Sequence, residues 1–393
     1  EAFYQGETPR EPFFRDPAYL VVLASMREGG VSADGLGNAA RILNILAHLA
    51  STALIVGIGL RFWRRRGALV AGALWGFYPP AIFLAMQTVP ATLALLAWLC
   101  GAGAALGTVW QSPLWQGGRI SRRHAWAYPF TAGVAFVLAA CLQATLWPTA
   151  LAWPVLALFL GRDRRVSRLF TALFGVGIVA AGRIGFQNIW GGSPQPLAGA
   201  DLYRLARALQ ITKPWNAPLP TVEFSSTAHR SDYLALAAPI TSPLPTTLPP
   251  PGHAVLDGFW WRDAASAAWY SPARSLLRAA RKTSQLFAAP NYSSGADYAR
   301  ARMESVRLKF NPLGWGGLLI LGLGGLALGW RKPAAGLAVL LADLVVVGAI
   351  IWYPTMEARA PIAALLALFA GGLVALPWPR RRGGLFLLCT AGL

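Results

Sequence analysis

The chain has 393 residues, of which 55% are hydrophobic and only 13% are charged, a balance that excludes an ordinary soluble globular domain. The formal net charge of +19 at pH 7 does not indicate nucleic-acid binding, because most of the arginines lie in short loops beside apolar stretches. The 3 cysteines, Cys100, Cys141 and Cys389, lie in apolar stretches without metal-ligand spacing, so neither a metal site nor a cofactor is predicted.

Apolar stretches of membrane-spanning length follow one another along the chain. Residues 1–37 are polar and aromatic and precede the first of these stretches. The double proline Pro79-Pro80 is expected to break the second. The chain begins without Met and ends inside an apolar run, so we expect at least one further span before Glu1. The predicted spans are residues 38–60, 67–86, 90–110, 126–146, 148–160 (short for a span), 166–186, 312–330, 333–353 and 359–378, with a tenth beginning near residue 384.

Clusters of basic residues alternate with pairs of these stretches, which is the positive-inside pattern of a multi-pass membrane protein. If the first cluster faces the cytosol, every cluster does, and residues 1–37 and 187–311 lie on the opposite side. The Arg-rich, Lys-poor composition favours a bacterial inner membrane, with the long loop in the periplasm. The clusters are Arg61 with Arg64–Arg66, Arg119 with Arg122 and Arg123, Arg162 with Arg164, Arg165 and Arg168, Arg331 with Lys332, and Arg380–Arg382.

The organisation that follows is an all-α integral membrane bundle of about 10–12 transmembrane helices. Residues 1–37 form a first outer loop, 38–186 an N-terminal transmembrane half, 187–311 a periplasmic loop with a small helical region, and 312–393 a C-terminal transmembrane half. The first part of the long loop is rich in proline. Its second part, residues 261–289, spaces apolar and basic residues as an amphipathic helix lying on the membrane surface does.

The 16 acidic residues are few, and four of them crowd the first sixteen positions. Glu1, Glu7 and Glu11 are candidate general bases that would take a proton from an acceptor hydroxyl or amine. A solvated loop with ordinary ion pairs is the simpler alternative. Asp343 lies in the middle of a predicted span, where an acid is either a functional group or a hydrogen-bonding partner between helices.

Several cations lie where they could hold a lipid phosphate, although arginines near span ends also simply extend their charge to the interface. No nucleotide-binding glycine loop, nucleophile elbow or His/Cys cluster is present in the sequence. The candidate cations are Arg10, Arg41, Arg183, Lys282 and Arg359.

Several short segments, taken in order, resemble the polytopic GT-C glycosyltransferases, the group of the protein O-mannosyltransferases and lipid A aminoarabinose transferases. The resemblance covers nearly the whole chain. It departs from the family at Trp147, where an arginine is usual, and at Arg183 and Asn188, which are usually adjacent. The segments are Glu1-Ala2-Phe3-Tyr4, Arg10-Glu11-Pro12-Phe13-Phe14, Ala40-Arg41-Ile42-Leu43-Asn44, Gly76-Phe77-Tyr78-Pro79-Pro80, Leu146-Trp147-Pro148-Thr149-Ala150, Tyr270 to Lys282 with Phe287, and Glu357-Ala358-Arg359-Ala360-Pro361.

The resemblance implies transfer of a sugar, with inversion, from a polyprenyl-phosphate donor bound from the outer side. A carboxylate of the first outer loop would be the base, and cations such as Lys282 and Arg359 would stabilise the lipid-phosphate leaving group. The acceptor would be a lipid, a glycan or a protein. A catalytically silent accessory subunit of a membrane complex, with protein partners, is the alternative. The enzyme requires an outer cavity bordered by the carboxylates and by Arg359 or Lys282, whereas the accessory subunit would have it closed or filled by aromatic side chains.

Overall fold

The computed structural model describes residues 17–110, 122–160, 165–189, 261–262, 265, 269, 272–288, 298, 301, 303, 305, 314–352 and 354–375. All regular secondary structure in these ranges is helical. The helices are α1 (Pro17–Glu28), α2 (Leu36–Phe62), α3 (Arg65–Gly76), α4 (Pro79–Ala85), α5 (Ala91–Trp110), α6 (Arg122–Leu142), α7 (Trp147–Phe159), α8 (Arg165–Ile189), α9 (Pro272–Phe287), α10 (Trp315–Gly329), α11 (Pro333–Ile351) and α12 (Met356–Val374), with a 3₁₀ turn at Ala144–Leu146.

Each of the nine complete apolar stretches predicted from the sequence contains a helix, so the all-α character of the described residues is confirmed, and the apolar helices support a multi-pass membrane protein. Within the described ranges, five helices are long and apolar enough to cross a membrane, or six if the bent pair α3–α4 is one span. Three more apolar stretches, in α6, α7 with its 3₁₀ turn, and α10, are shorter. The 13 residues of α7 extend about 20 Å, less than a hydrocarbon core of about 30 Å.

The double proline ends one helix and starts another, as predicted. α3 ends at Gly76, α4 begins at Pro79, and the two axes differ by 59°. Proline has no N–H to donate and its ring collides with the preceding turn, so the helix cannot continue through this position. The interruption leaves the Gly76 carbonyl available, and it lies 3.3 Å from Nε2 of His48.

The helix α1 was not predicted, because residues 1–37 were interpreted as a loop. Pro17 begins it, and proline is favoured at the first helical position because its missing N–H would have no partner there. The apolar run Ala18–Met26 was the available signal, but it is too short to resemble a span. The segment that precedes α2 therefore contains a 12-residue helix.

Glycines bring α10 and α12 into close parallel contact. Gly322 faces Leu366 and Gly325 faces Phe369, at a constant offset along the two helices. A Cβ atom at Gly325 would overlap the carbonyl oxygen of Phe369. Small residues let membrane helices approach backbone to backbone, where lipid supplies no hydrophobic driving force between them.

One end of the bundle, which we name the basic end, carries two of the predicted basic clusters side by side. The Lys332 ammonium donates to the Phe62 carbonyl and lies 4.2 Å from the centroid of the Trp63 ring. The indole N–H of Trp63 donates to the Leu368 carbonyl at 2.8 Å. The Arg331–Lys332 turn therefore lies against the chain at Arg61–Arg66, as the alternating arrangement of spans requires.

Candidate functional site

The opposite end of the bundle, which we name the α9 end, is where α10 and α12 begin and α11 finishes. Here α9 is anchored by Lys282, whose side chain is only 8% exposed. Its ammonium donates to the carbonyls of Ile350 and Trp352, each at 2.9 Å. The last carbonyls of a helix have no partner within the helix and carry partial negative charge, which suits a cation. Lys282 therefore caps α11 and fixes the position of α9.

A second anchor joins α9 to the first turns of α10 and α12. The Arg359 guanidinium donates to the Gln285 carbonyl and lies 5.5 Å from the centroid of the Trp315 ring. Trp315 in turn donates its indole N–H to the Phe287 carbonyl at 3.2 Å. Arg359 is only 1% exposed, so its charge is held inside the protein by main-chain and aromatic groups.

The amphipathic pattern predicted for residues 261–289 is confirmed in α9, and its two faces have different surroundings. Lys282 and Leu286 are buried against the bundle. Leu276 and Leu277 point away from it and are 74% and 54% exposed. An apolar face of this kind, on a helix held at the level of the span ends, suits insertion into the headgroup region of a bilayer. Arg281 is exposed as well.

Arg183 lies on a third anchor at the same end. Its guanidinium is 5.5 Å from the centroid of the Trp147 ring, and its side chain is 8% exposed. Trp147 begins α7, directly after the 3₁₀ turn that approaches α11 at Gly348. A Cβ atom at Gly348 would overlap the Thr145 carbonyl, so only glycine permits this approach. Trp147 therefore serves as the surface on which Arg183 stacks.

These contacts form one continuous path around the end of α11. Trp147 holds Arg183 beside the 3₁₀ turn that meets α11 at Gly348, and Lys282 bonds the terminal carbonyls of α11. Arg359 lies three residues farther along α9, at Gln285. Three of the five predicted cations are thus brought together at the α9 end.

A small cavity of about 10 Å³ lies beside this path, room for about one water molecule. Ala360, the neighbour of Arg359, lines it together with His48, Trp75 and Thr92. Nδ1 of His48, Nε1 of Trp75 and Oγ1 of Thr92 are buried and have no hydrogen-bond partner in the described part of the chain. No pattern in the sequence marks these three residues, because they meet only in the folded chain.

The remaining predicted site residues have different positions. Arg41 is exposed near the start of α2, and its guanidinium donates to the Asn38 side-chain oxygen at 3.3 Å. Glu1, Glu7, Glu11 and Arg10 lie outside the described residues. Within the described ranges no group of three or more His, Cys, Asp or Glu side chains could hold a metal.

Glu357 is a buried acid that sequence reasoning did not select as a site residue. It lies in the first turn of α12, after the N-cap Thr355, and is 6% exposed. Acidic side chains are common in the first turn of a helix, because the unpaired N–H groups there carry partial positive charge. The signal in the sequence that could have identified Glu357 was its position two residues before Arg359. Glu357 adds one carboxyl group to the α9 end.

Burial and the neighbouring Arg278 guanidinium lower the pKa of Lys282 to about 8. When α9 is docked, Lys282 therefore binds fewer protons between about pH 8 and the ordinary lysine pKa of 10.5 than a solvated lysine does. We expect α9 docking to be weakest below pH 8 and to strengthen as the pH rises through this window.

A nitroxide spin label attached at Ser284→Cys, with Cys100, Cys141 and Cys389 replaced, measures this docking. The fraction of mobile spin label should fall as the pH rises. Adding Lys282→Met should remove the pH dependence of the mobile fraction. If the pH dependence remained after this substitution, a titrating group other than Lys282 would be responsible.

No family model, no curated protein and no solved structure matches this chain.

Proposed function

We propose that this protein is a membrane glycosyltransferase that moves a sugar from a polyprenyl-phosphate donor to a lipid, glycan or protein acceptor on the periplasmic side of a bacterial inner membrane. The observation that supports this best is the gathering of Arg183, Lys282 and Arg359 around the end of α11. Three cations at one end of a bundle of apolar helices create a positive potential at the depth where a lipid phosphate lies. The sequence resemblance assigns the same end to the donor.

The proposed reaction is a single displacement at the anomeric carbon. A carboxylate, Glu1, Glu7 or Glu11, takes the proton of the acceptor hydroxyl or amine. The acceptor atom bonds to the anomeric carbon while the bond from that carbon to the phosphate oxygen breaks, and the polyprenyl phosphate leaves with the electron pair. The configuration inverts. The negative charge that develops on the phosphate is stabilised by the nearby cations, most strongly where water is excluded.

The arrangement of α9 divides the work among the cations. Lys282 and Arg359 bond main-chain carbonyls, so in this proposal they hold α9 in place and contribute charge from within the protein. Arg281, which is exposed on α9, is the group available for direct contact with a headgroup phosphate. A guanidinium can hold a phosphate through two parallel hydrogen bonds.

A second candidate is a catalytically silent accessory subunit, and one observation favours it. The side chains of Arg359 and Lys282 are nearly inaccessible, and aromatic residues such as Trp315 and Trp147 pack against the cations at this end. An accessory subunit is expected to show such a filled site.

Turnover of a panel of labelled polyprenyl-phosphate sugars by the purified protein in lipid nanodiscs separates the two candidates. The enzyme should consume at least one donor and release polyprenyl phosphate, and Arg281→Met should lower the rate at limiting donor more than at saturating donor. Absence of turnover across the panel, from protein with a cooperative unfolding transition, would favour the accessory subunit.

A further inference from the structure

The acid Asp343 lies on the face of α11 that points away from the bundle. The opposite face, which includes Leu341 and Val345, is fully buried. On the outer face Leu340 is 48% and Val347 44% exposed, and Asp343 between them is exposed as well. The outer stripe of α11 consists of Gly336, Leu340, Asp343 and Val347, which follow the spacing of one helix face.

This carboxyl is placed where an unpaired acid is costly. Asp343 is the eleventh of the 19 residues of α11, one of the helices long and apolar enough to cross a membrane. Ionisable groups at this depth normally face the interior of a bundle or pair with another group. No described residue donates a hydrogen bond to Asp343 or forms an ion pair with it. The pairing between helices that the sequence suggested for Asp343 is therefore not made within the described bundle.

We propose that the outer stripe of α11 binds a transmembrane helix of another polypeptide that carries an arginine or lysine at mid-membrane depth. The charge of that side chain complements the Asp343 carboxylate, and both are removed from hydrocarbon together. The stripe also has the shape for a helix: a Cβ atom at Gly336 would meet no atom within 4 Å, so a partner backbone can approach closely there. From Gly336 to Val347 the stripe extends about 16 Å, about three helical turns.

A second copy of this chain fits the stripe less well. Two copies meeting through it would bring two carboxyls together, and like charges at that distance oppose ionisation. The arginines of the described spans lie near helix ends, as Arg61, Arg168 and Arg359 do, so a second copy offers no cation opposite Asp343. The proposal is independent of sugar transfer, because it concerns the lateral surface of the bundle rather than the α9 end.

The test uses purified full-length protein in nanodiscs and a designed apolar transmembrane peptide with a single central arginine, compared with the same peptide carrying leucine. Binding is followed by fluorescence transfer between labelled protein and peptide. We expect the arginine peptide to bind wild type about 5- to 30-fold more tightly than Asp343→Leu, and the leucine peptide to bind both alike. Asp343→Asn, which keeps a hydrogen-bonding group without the charge, should give an intermediate affinity.

Equal binding of the arginine peptide to wild type and Asp343→Leu would overturn the proposal. So would self-association of the labelled protein that disappears in Asp343→Leu, because the stripe would then bind a second copy. The leucine substitution lies on an outward-facing position, so an unchanged unfolding transition is expected and separates loss of binding from loss of folding.

Discussion

Replacing Gly325 by valine is expected to destabilise the bundle by about 3 kcal/mol, the upper end of the range for overpacking. A Cβ atom there overlaps the Phe369 carbonyl oxygen, which is backbone and cannot rotate aside. The whole of α10 must then move away from α12, and the parallel contact that runs from Gly322 to Gly325 opens. Reversible unfolding in mixed micelles, followed by tryptophan fluorescence, measures the loss.

Gly316→Ala is the matched control, because it lies on the same helix and its Cβ would meet no atom within 4 Å. It should leave stability unchanged or raise it by up to about 1 kcal/mol, since alanine favours the helix over glycine. If Gly325→Val unfolded like this control, the close approach of α10 and α12 would be wrong.

Replacing Arg359 by alanine is expected to cost about 3 kcal/mol of stability. The substitution empties a fully buried volume, leaves the Gln285 carbonyl without its charged donor and removes the cation from the Trp315 ring. Because α9 loses one of its anchors, we also expect sugar transfer to fall by about 100-fold, the cost of misplacing a binding group by about 1 Å. Unfolding and initial rates measured on the same preparation give both effects.

Arg281→Ala is the control for stability, because Arg281 is an exposed arginine on the same helix α9. Its effect on unfolding should stay within about 0.5 kcal/mol. Arg359→Lys should recover only part of the lost stability, since lysine reproduces the charge but neither the planar stacking nor the forked donors. Full recovery by lysine would show that charge alone matters at this position.

The sequence predicted where the apolar helices of the bundle are, because hydropathy is a local property that does not depend on packing, although it missed α1. The break at Pro79-Pro80 was predictable for the same reason, since proline acts on its own turn. The amphipathic helix α9 was also indicated, because its apolar and basic residues alternate with helical spacing, but the face that docks was not: Leu276 and Leu277 point away from the bundle, and Lys282 is buried against it. The orientation of α10, α11 and α12 about their axes was not predictable, since helices that are apolar all round give no sign of which face meets protein and which meets lipid.

In the candidate site, too, the sequence predicted some features and not others. Arg183, Lys282 and Arg359 could be selected from the sequence as cations near span ends, but their partners could not. Main-chain carbonyls bind Lys282, and every residue has a carbonyl, so no residue type marks them. Gly348 is another example, because its need for glycine arises from Thr145, a residue 203 positions earlier that meets it only in the folded bundle.

Transfer from an active donor by wild type and by Glu1→Gln, Glu7→Gln and Glu11→Gln tests the account most directly. The carboxylate that acts as general base should lose about 10²- to 10⁴-fold in rate when made an amide, with unfolding unchanged. The other two variants should keep most of the wild-type rate, and the product should have inverted anomeric configuration. Wild-type rates in all three variants would contradict the proposal that a carboxylate of the first outer segment takes the acceptor proton.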